Sequence, residues 1–452
     1  MPNHGGAPLL SWQLKNCSCY PFSDAPTLNR KRMSTDPSKR PFYSVIPLLF
    51  SQTIGAFNDN AMKAILPVMA AVQFGKESMD EVNIQVSILL ILPFVIFAPL
   101  AGWVSDRFSK KKVVSMTLLA QLFGLGLLSY GLASELLFTS LVGFFLLSTQ
   151  SAFLSPAKKG ILKELIGSNR LAMAVGWTEM LAMVGILGGA FVGAMSFDAL
   201  VVENGGWTAA LILASATMGL ALLSWLAFLP TPPTEAPKAQ PFKPGVIWSH
   251  FGDLRDLMKD RKLRGAALGD AWFWSVGGFF YLVLVKLSGE VVEGDVGLGT
   301  LYGYWFLLLG LGIMAGSLFV AYLNRGRIEL GLTVIGGLIM PVSLIVLYFC
   351  SPLTLVFEIG CLALGFSGAL FFVPLNGYLQ DQAEEDRRGR VLAAANLFTQ
   401  LSGIAFIFFH AYLSGHLGLS AKEELLVMLV PSVLIGFVTL KAVRGGSGTR
   451  RP

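Results

Sequence analysis

An aspartate and a lysine, Asp59 and Lys63, stand four residues apart inside a long apolar run, in the stretch Gly55-Ala56-Phe57-Asn58-Asp59-Asn60-Ala61-Met62-Lys63. A charge in hydrocarbon costs about 2.5–3.5 kcal/mol on insertion scales, so an intramembrane ionisable residue is by default a functional candidate. Residues four apart share one helix face, and Asp59 falls about 21 Å into its run at about 1.5 Å per residue, near mid-bilayer. The spacing predicts either a self-neutralising structural pair or the polar lining of an internal cavity. Asn58, Asn60 and Gln52 add hydrogen-bonding groups beside it. Other apolar runs carry Glu179, Asp270, Glu358, Asn376, Asn396 and Gln400. Glu179 faces a cavity or clamps two helices together. Asp270 and Glu358 lie nearer opposite surfaces, where loop-satisfied carboxylates are ordinary. The asparagines and glutamine suit helix-to-helix hydrogen bonds, and His410 reads as a packed residue.

The elements that hold these groups follow from composition. The chain has 452 residues, 54% hydrophobic and 14% charged, against roughly 25% charged in a soluble domain. A spanning helix needs about 20 apolar residues. Runs of that kind occur at 45–72, 84–105, 112–132, 136–156, 171–194, 207–229, 264–286, 299–323, 330–350, 352–377, 391–414 and 424–441. With the N-terminus inside, Lys and Arg gather in the cytoplasmic segments. The outer loops hold only Lys76, Lys286 and Lys422 among Glu77, Asp80, Glu81, Glu290, Glu293, Asp295, Glu423 and Glu424. This is the positive-inside pattern, and it predicts twelve spans with both termini cytoplasmic. The net charge of +6 is a matter of topology, with no nucleic-acid motif beside it.

The longest gap separates spans six and seven. It opens with Pro230, Pro232, Pro233 and Pro237, then places Ile247, Trp248, Phe251, Leu254, Leu257 and Met258 at helical spacing among basic residues. That predicts a basic amphipathic helix on the inner membrane face. The expected organisation is a disordered segment over 1–41, a six-helix bundle over 42–229, a linker over 230–263, a second bundle over 264–441 and a tail over 442–452. Met1 and Met33 are both candidate starts. Cys17, Cys19, Cys350 and Cys361 read as free thiols without metal-ligand spacing, and no cofactor is expected. Gly185, Gly189 and Gly193, like Gly312 and Gly316, form small faces for close helix packing.

The loop after the second run reads Gly102-Trp103-Val104-Ser105-Asp106-Arg107-Phe108-Ser109-Lys110-Lys111. It resembles the hallmark loop of the major facilitator superfamily, Gly-x-x-x-Asp-Arg-x-Gly-Arg-Lys, with Ser109 in place of the usual glycine. Gly102 would permit close helix approach, and Asp106 would accept bonds from a helix N-terminus or an arginine of the moving bundle, so that Gly102, Asp106, Arg107, Lys110 and Lys111 form a gate. The second-half loop, Asn324-Arg325-Gly326-Arg327, lacks the acid. An ordinary basic loop is the plain alternative.

Three further stretches sharpen the resemblance: the Asn58-Asp59-Asn60 segment, Gln150-Ser151-Ala152-Phe153-Leu154-Ser155-Pro156-Ala157-Lys158-Lys159-Gly160, and Phe371-Phe372-Val373-Pro374-Leu375-Asn376 followed by Arg388-Gly389-Arg390-Val391. Together they look like the bacterial lysophospholipid transporter branch, over residues 42 to 441. The resemblance implies an all-α membrane protein of twelve helices in two six-helix pseudo-symmetric bundles, in the bacterial inner membrane. It implies inward flipping of lysophospholipids of the lysophosphatidylethanolamine class, by alternating access. Asp59 and Lys63 would then hold the ammonium and phosphate of a zwitterionic headgroup, with Asp270 and Glu358 on cavity-lining spans. Some relatives carry a fused acyltransferase. None of His4, His250, His410 or His416 has an aspartate five positions later, so the expectation is a transporter without that enzyme, served by a separate acyltransferase, monomeric, amid membrane lipids and without nucleic acid. The alternative is a facilitator for another small or amphiphilic solute such as a drug, sugar or siderophore. A membrane enzyme would need catalytic groups clustered at one face, which the sequence does not offer. A non-transporting sensor would have no use for the polar residues of span one.

Overall fold

In hydrocarbon every backbone N–H and C=O must bond within the protein, which leaves apolar runs of this length to helices or closed barrels. The computed structural model takes the first course. It describes residues 41–167, 171–234, 246–294, 297–323, 329–382 and 388–446, and among them there is no strand. A 3-10 turn at Phe42–Val45 leads into α1 (Ile46–Phe74). There follow α2 (Glu77–Ile96), α3 (Ala98–Arg107), α4 (Lys110–Ala133), α5 (Leu137–Ile166) and α6 (Leu171–Phe228). After α7 (Val246–Lys259) come α8 (Arg261–Val291), α9 (Leu298–Leu323), α10 (Gly331–Phe349), α11 (Leu355–Gln382), α12 (Arg388–Gly415) and α13 (Ala421–Gly446). The expected disordered segment, both candidate starts and the tail beyond 446 lie outside the described residues.

Among the described residues nine helical segments are long and apolar enough to cross a membrane. One of them, Trp177–Phe228, has 52 residues. Within it Gly205 sits at φ 75 and ψ 167, a conformation open to glycine. The chain doubles back there, because Gly189 and Thr217 both lie against Phe57 and Asn58 of α1. α1 and α13 are not among the nine; in α1 the run Asn58, Asp59, Asn60 and Lys63 interrupts the apolar stretch. The second run is also not one straight helix. Pro93 and Pro99 flank Phe97, where α2 ends and α3 begins, since proline lacks the N–H that would continue the ladder.

Close helix seams hold each half together. α1 packs chiefly on α6, α4 on α5, α8 on α12, and α11 on α9 and α10. On the α6 face Gly185, Gly189 and Gly193 meet Thr53, Phe57 and Ala61 of α1, backbone against backbone. The three glycines of one helix thus match three positions of the other at the same four-residue interval, which confirms the small-face reading. Gly312 and Gly316 do the same for α9 against Leu362 and Phe366 of α11. The helix α7 packs on the second half. Leu257 is buried with Leu263, Ala267, Leu379 and Ala395, tying α7 to α8, α11 and α12, and Arg390 of α12 reaches Asp253 at 3.9 Å.

Candidate functional site

Asp59 is buried on α1, and its carboxylate turns towards α5. Ser151 donates to its Oδ2 at 2.6 Å, and Gln150 Nε2 donates to Ser151 Oγ at 2.8 Å. Its Oδ1 is buried with no partner, as are the Oε1 of Gln150 and both amide atoms of Gln52. Buried polar atoms are mostly bonded in folded proteins; these four lie on two adjoining helices, and both amide atoms of Asn83 and of Gln121 are unpartnered too. Lys63, one turn further on, points away from Asp59. Its ammonium lies 3.9 Å above the ring of Tyr281 on α8, a cation–π contact that crosses to the other half. Asp59 and Lys63 are therefore not the self-neutralising pair that their spacing allows.

The neighbouring asparagines each donate to a backbone carbonyl, and the Oδ1 of Asn58 is buried without a partner. Asn58 is fully buried and donates to Thr217 O of α6 at 3.1 Å, which anchors the α1–α6 seam. Asn60 donates to Ala56 O of its own helix.

In the second half Asp270 is also buried, but saturated. Its Oδ1 accepts from Asn376 at 2.9 Å and its Oδ2 from Thr399 at 2.9 Å, and Gln380 donates to Asn376 Oδ1 at 2.7 Å. One carboxylate thereby ties α8 to α11 and α12, and Asn376 has the helix-to-helix role. Glu358 lies in the first turn of α11, half-buried beside Tyr304 of α9, apart from the Asp270 group. Glu179 is exposed on α6.

The described bonds of the loop between α3 and α4 reach α5 and the segment after α6. Arg107 stands 5.1 Å from the centroid of Trp103 and 5.8 Å from that of Phe108. Lys110 bonds Glu164 of α5 at 2.5 Å and runs its stem over Gly160. Ser109, which departs from the hallmark pattern, bonds Thr234 Oγ1 at 3.0 Å, and the same Thr234 oxygen accepts from Lys111 N at 2.9 Å. The serine thus pins the segment after α6 to the start of α4. Asp106 is exposed. A Cβ on Gly102 would meet open space, so Gly102 is not a point of close approach here.

Bonds described between the halves gather from mid-depth to the opposite, Lys76 end. Tyr302 of α9 donates to Ala64 O at 2.5 Å, Thr300 N to Asp198 Oδ2 at 2.6 Å, and Lys76 to the carbonyls of Gly289 and Val292. Asp80 of α2 receives His410 and Ser414 of α12. Asp80, Lys286 and Glu424 read in the sequence as loop charges, and His410 as packing. All four belong to helices, and Glu424 and His410 are fully buried. The available signal was a basic residue placed among acids at one end of the runs.

A groove of about 460 Å³ lies between α3, α4 and α5, walled by Phe108, Phe123, Phe153 and Met116. Lys112 stands on its rim and Gln150 lines it.

This arrangement of all-helical halves joined at one end belongs to the major facilitator superfamily, whose family model matches residues 48–407; the chain is a member. It is similar to the lysophospholipid transporter LplT of Klebsiella pneumoniae subsp. pneumoniae, 27% identical over 371 residues that cover 80% of this chain and 86% of that one. The like-named protein of Enterobacter sp. is 27% identical over 351 residues, covering 77% and 83%. Among solved structures, a POT family transporter in complex with 5-aminolevulinic acid aligns at TM-score 0.71 with 13% identity, over 90% of this chain and 98% of that one. A peptide transporter POT in complex with sulfate aligns at 0.69 with 14% identity, over 91% and 96%. These structures speak for the fold alone.

Proposed function

We propose that the chain carries lysophospholipids of the lysophosphatidylethanolamine class across a bacterial inner membrane by alternating access. The observation that carries this is similarity over 80% of the chain to transporters named for lysophospholipids. In this reading the spare Oδ1 of Asp59 takes the headgroup ammonium, and Lys63 leaves Tyr281 to take the phosphate. The charge-assisted bonds would each contribute about 1.5–3 kcal/mol. The apolar groove suits the acyl chain, because its lining residue Gln150 is linked through Ser151 to Asp59.

The same reading has twelve spans with both termini cytoplasmic, in bundles over 42–229 and 264–441 that rock about the Asp59 level. It supplements nine segments with the fold-back at Gly205 and the two further helices α1 and α13. The Lys76 end is then the outer, closed end. The Asp106 end is the open one, where an exposed Asp106 waits for a partner from the other half. The test is uptake of labelled lysophosphatidylethanolamine into proteoliposomes holding the full chain. Saturable uptake competed by other lysophospholipids, and not by free phosphoethanolamine or by sugars, is expected. Uptake indistinguishable from empty vesicles, or competed only by a water-soluble solute, would overturn the reading.

A further inference from the structure

The Lys76 end closes on a fully bonded set of four charges. His410 Nε2 lies 2.9 Å from Asp80 Oδ1, and His410 Nδ1 lies 2.6 Å from Glu424 Oε2. Ser414 donates to Asp80 Oδ2 at 2.5 Å. Lys286 donates to Glu424 Oε1 at 2.8 Å, to Ser414 Oγ at 2.9 Å and to the carbonyl of Leu419. Every oxygen of both carboxylates therefore receives a donor. A neutral imidazole has one N–H, and here both ring nitrogens face carboxylate oxygens, so the cluster needs a second proton, on the ring or on a facing carboxyl; the latch places it on the ring as imidazolium. With Asp80 and Glu424 anionic and Lys286 cationic, the set is neutral.

Its members are divided unequally between the halves. Asp80 comes from α2; His410, Ser414, Lys286 and Glu424 come from α12, α8 and α13. Parting of the halves at this end would carry Asp80 away and leave the fully buried ring with its Nε2–H bare of its carboxylate. An unpaired buried charge is costly, and the group neutralises instead.

We infer that His410 is a proton-binding latch: closure of the Lys76 end takes up one proton at its imidazole, and opening releases it. On opening, the Nε2–H···Oδ1 bond breaks and that proton passes to water at the same end, leaving neutral imidazole against Glu424 and Lys286. On closing, Nε2 regains a proton from water of that end as Asp80 returns. Proton uptake and release occur on one side, so the latch makes opening pH-dependent without carrying protons across. The sign follows from linkage: the closed state binds the extra proton more tightly, so closure is fully favoured at low pH and is lost as pH rises through the closed-state value. The other charged groups around the ring do not replace Asp80. Glu290 of α8 is held by Ala421 N at 2.9 Å, Lys76 by the carbonyls of Gly289 and Val292, and Glu423 is turned to Ser420. On its remaining side His410 meets the edge of Phe279, 5.8 Å between centroids.

The inference rests on the alternating opening in the proposed function, and its test separates the two. Spin labels on Glu77→Cys and His416→Cys, both exposed positions of opposite halves, report the width of the end in a chain whose four native cysteines are serine. In nanodiscs the short-distance population should dominate near pH 5 and give way to a longer one by about pH 9, along a one-proton curve. His410→Gln should flatten that curve. Asp80→Asn, which alters only the other half, should lower its midpoint by about 1–3 pH units, and carries the test should His410→Gln not insert. A distance that ignores pH in the native chain, or a curve unchanged in both variants, overturns the latch. Distances that widen on adding lysophosphatidylethanolamine while ignoring pH overturn the latch and leave the transport reading. Distances that follow pH but never respond to that lipid uphold the latch and count against the transport reading.

Discussion

Asp59 and Asp270 are buried carboxylates on helices of opposite halves, 8% and 7% exposed, yet their surroundings differ. Asp270 spends both oxygens on Asn376 and Thr399. Asp59 has one oxygen on Ser151 and the other unpartnered. Burial and residue type do not distinguish the two; the engagement of both oxygens does. A carboxylate whose acceptors are filled by neighbouring helices is part of the scaffold, because any ligand would have to displace bonds already made. A spare buried oxygen can take a ligand's donor without displacing a bond already made, although Asp198 Oδ1 is unpartnered as well.

The largest expected effect that would break this comparison is at Asp59. Asp59→Asn should lower lysophosphatidylethanolamine uptake about tenfold or more, the loss of one charge-assisted bond, while thermal unfolding stays within a few degrees of native. A comparable fall in uptake from Asp270→Asn, with stability intact, would show that saturation does not separate the roles. Gly189→Ala sharpens the same point from the scaffold side. The new Cβ would run into Phe57 O and push α1 off α6, so a destabilisation of about 1–3 kcal/mol is expected in denaturant unfolding, with uptake reduced through displacement of Asp59. Asp270→Asn should cost about 1–3 kcal/mol by leaving one buried partner mismatched, with uptake per folded molecule near native. Thr399→Val, which removes a single donor to Asp270, should cost about 1 kcal/mol by the same measurement and leave headgroup selectivity unchanged.

Much of this was legible in the chain itself. Apolar runs of spanning length gave the helices because a hydrocarbon solvent leaves the backbone little choice, and the four-residue glycine interval of α6 announced its seam with α1. Direction was not legible. Asp59 and Lys63 share a helix face, but which neighbour each side chain finds depends on helices far along the chain: Ser151 on α5, 92 residues from Asp59, and Tyr281 on α8. The same is true of Asn58, polar and well placed for a cavity, whose amide N–H goes to Thr217 O while its Oδ1 stays unpartnered. His410 was the largest omission. A lone histidine in an apolar run shows nothing of Asp80, 330 positions earlier, and the acids that surround it looked like loop residues because they stand at the ends of their runs. Ser109 had the opposite fate: a departure from a hallmark pattern whose use, the bond to Thr234, becomes plain only when α4 and the segment after α6 are seen side by side.

The central claim is that Asp59 serves a ligand rather than Lys63. Uptake of lysophosphatidylethanolamine by the double variant Asp59→Asn with Lys63→Met tests it most directly, beside the single Asp59→Asn variant and at matched insertion. Because the Lys63 ammonium rests on Tyr281 and not on Asp59, removing both charges should restore nothing, and the double variant should stay at or below the single one. Recovery to near-native uptake in the double variant would contradict the account, since it would show that the only need for Asp59 was to neutralise its neighbour.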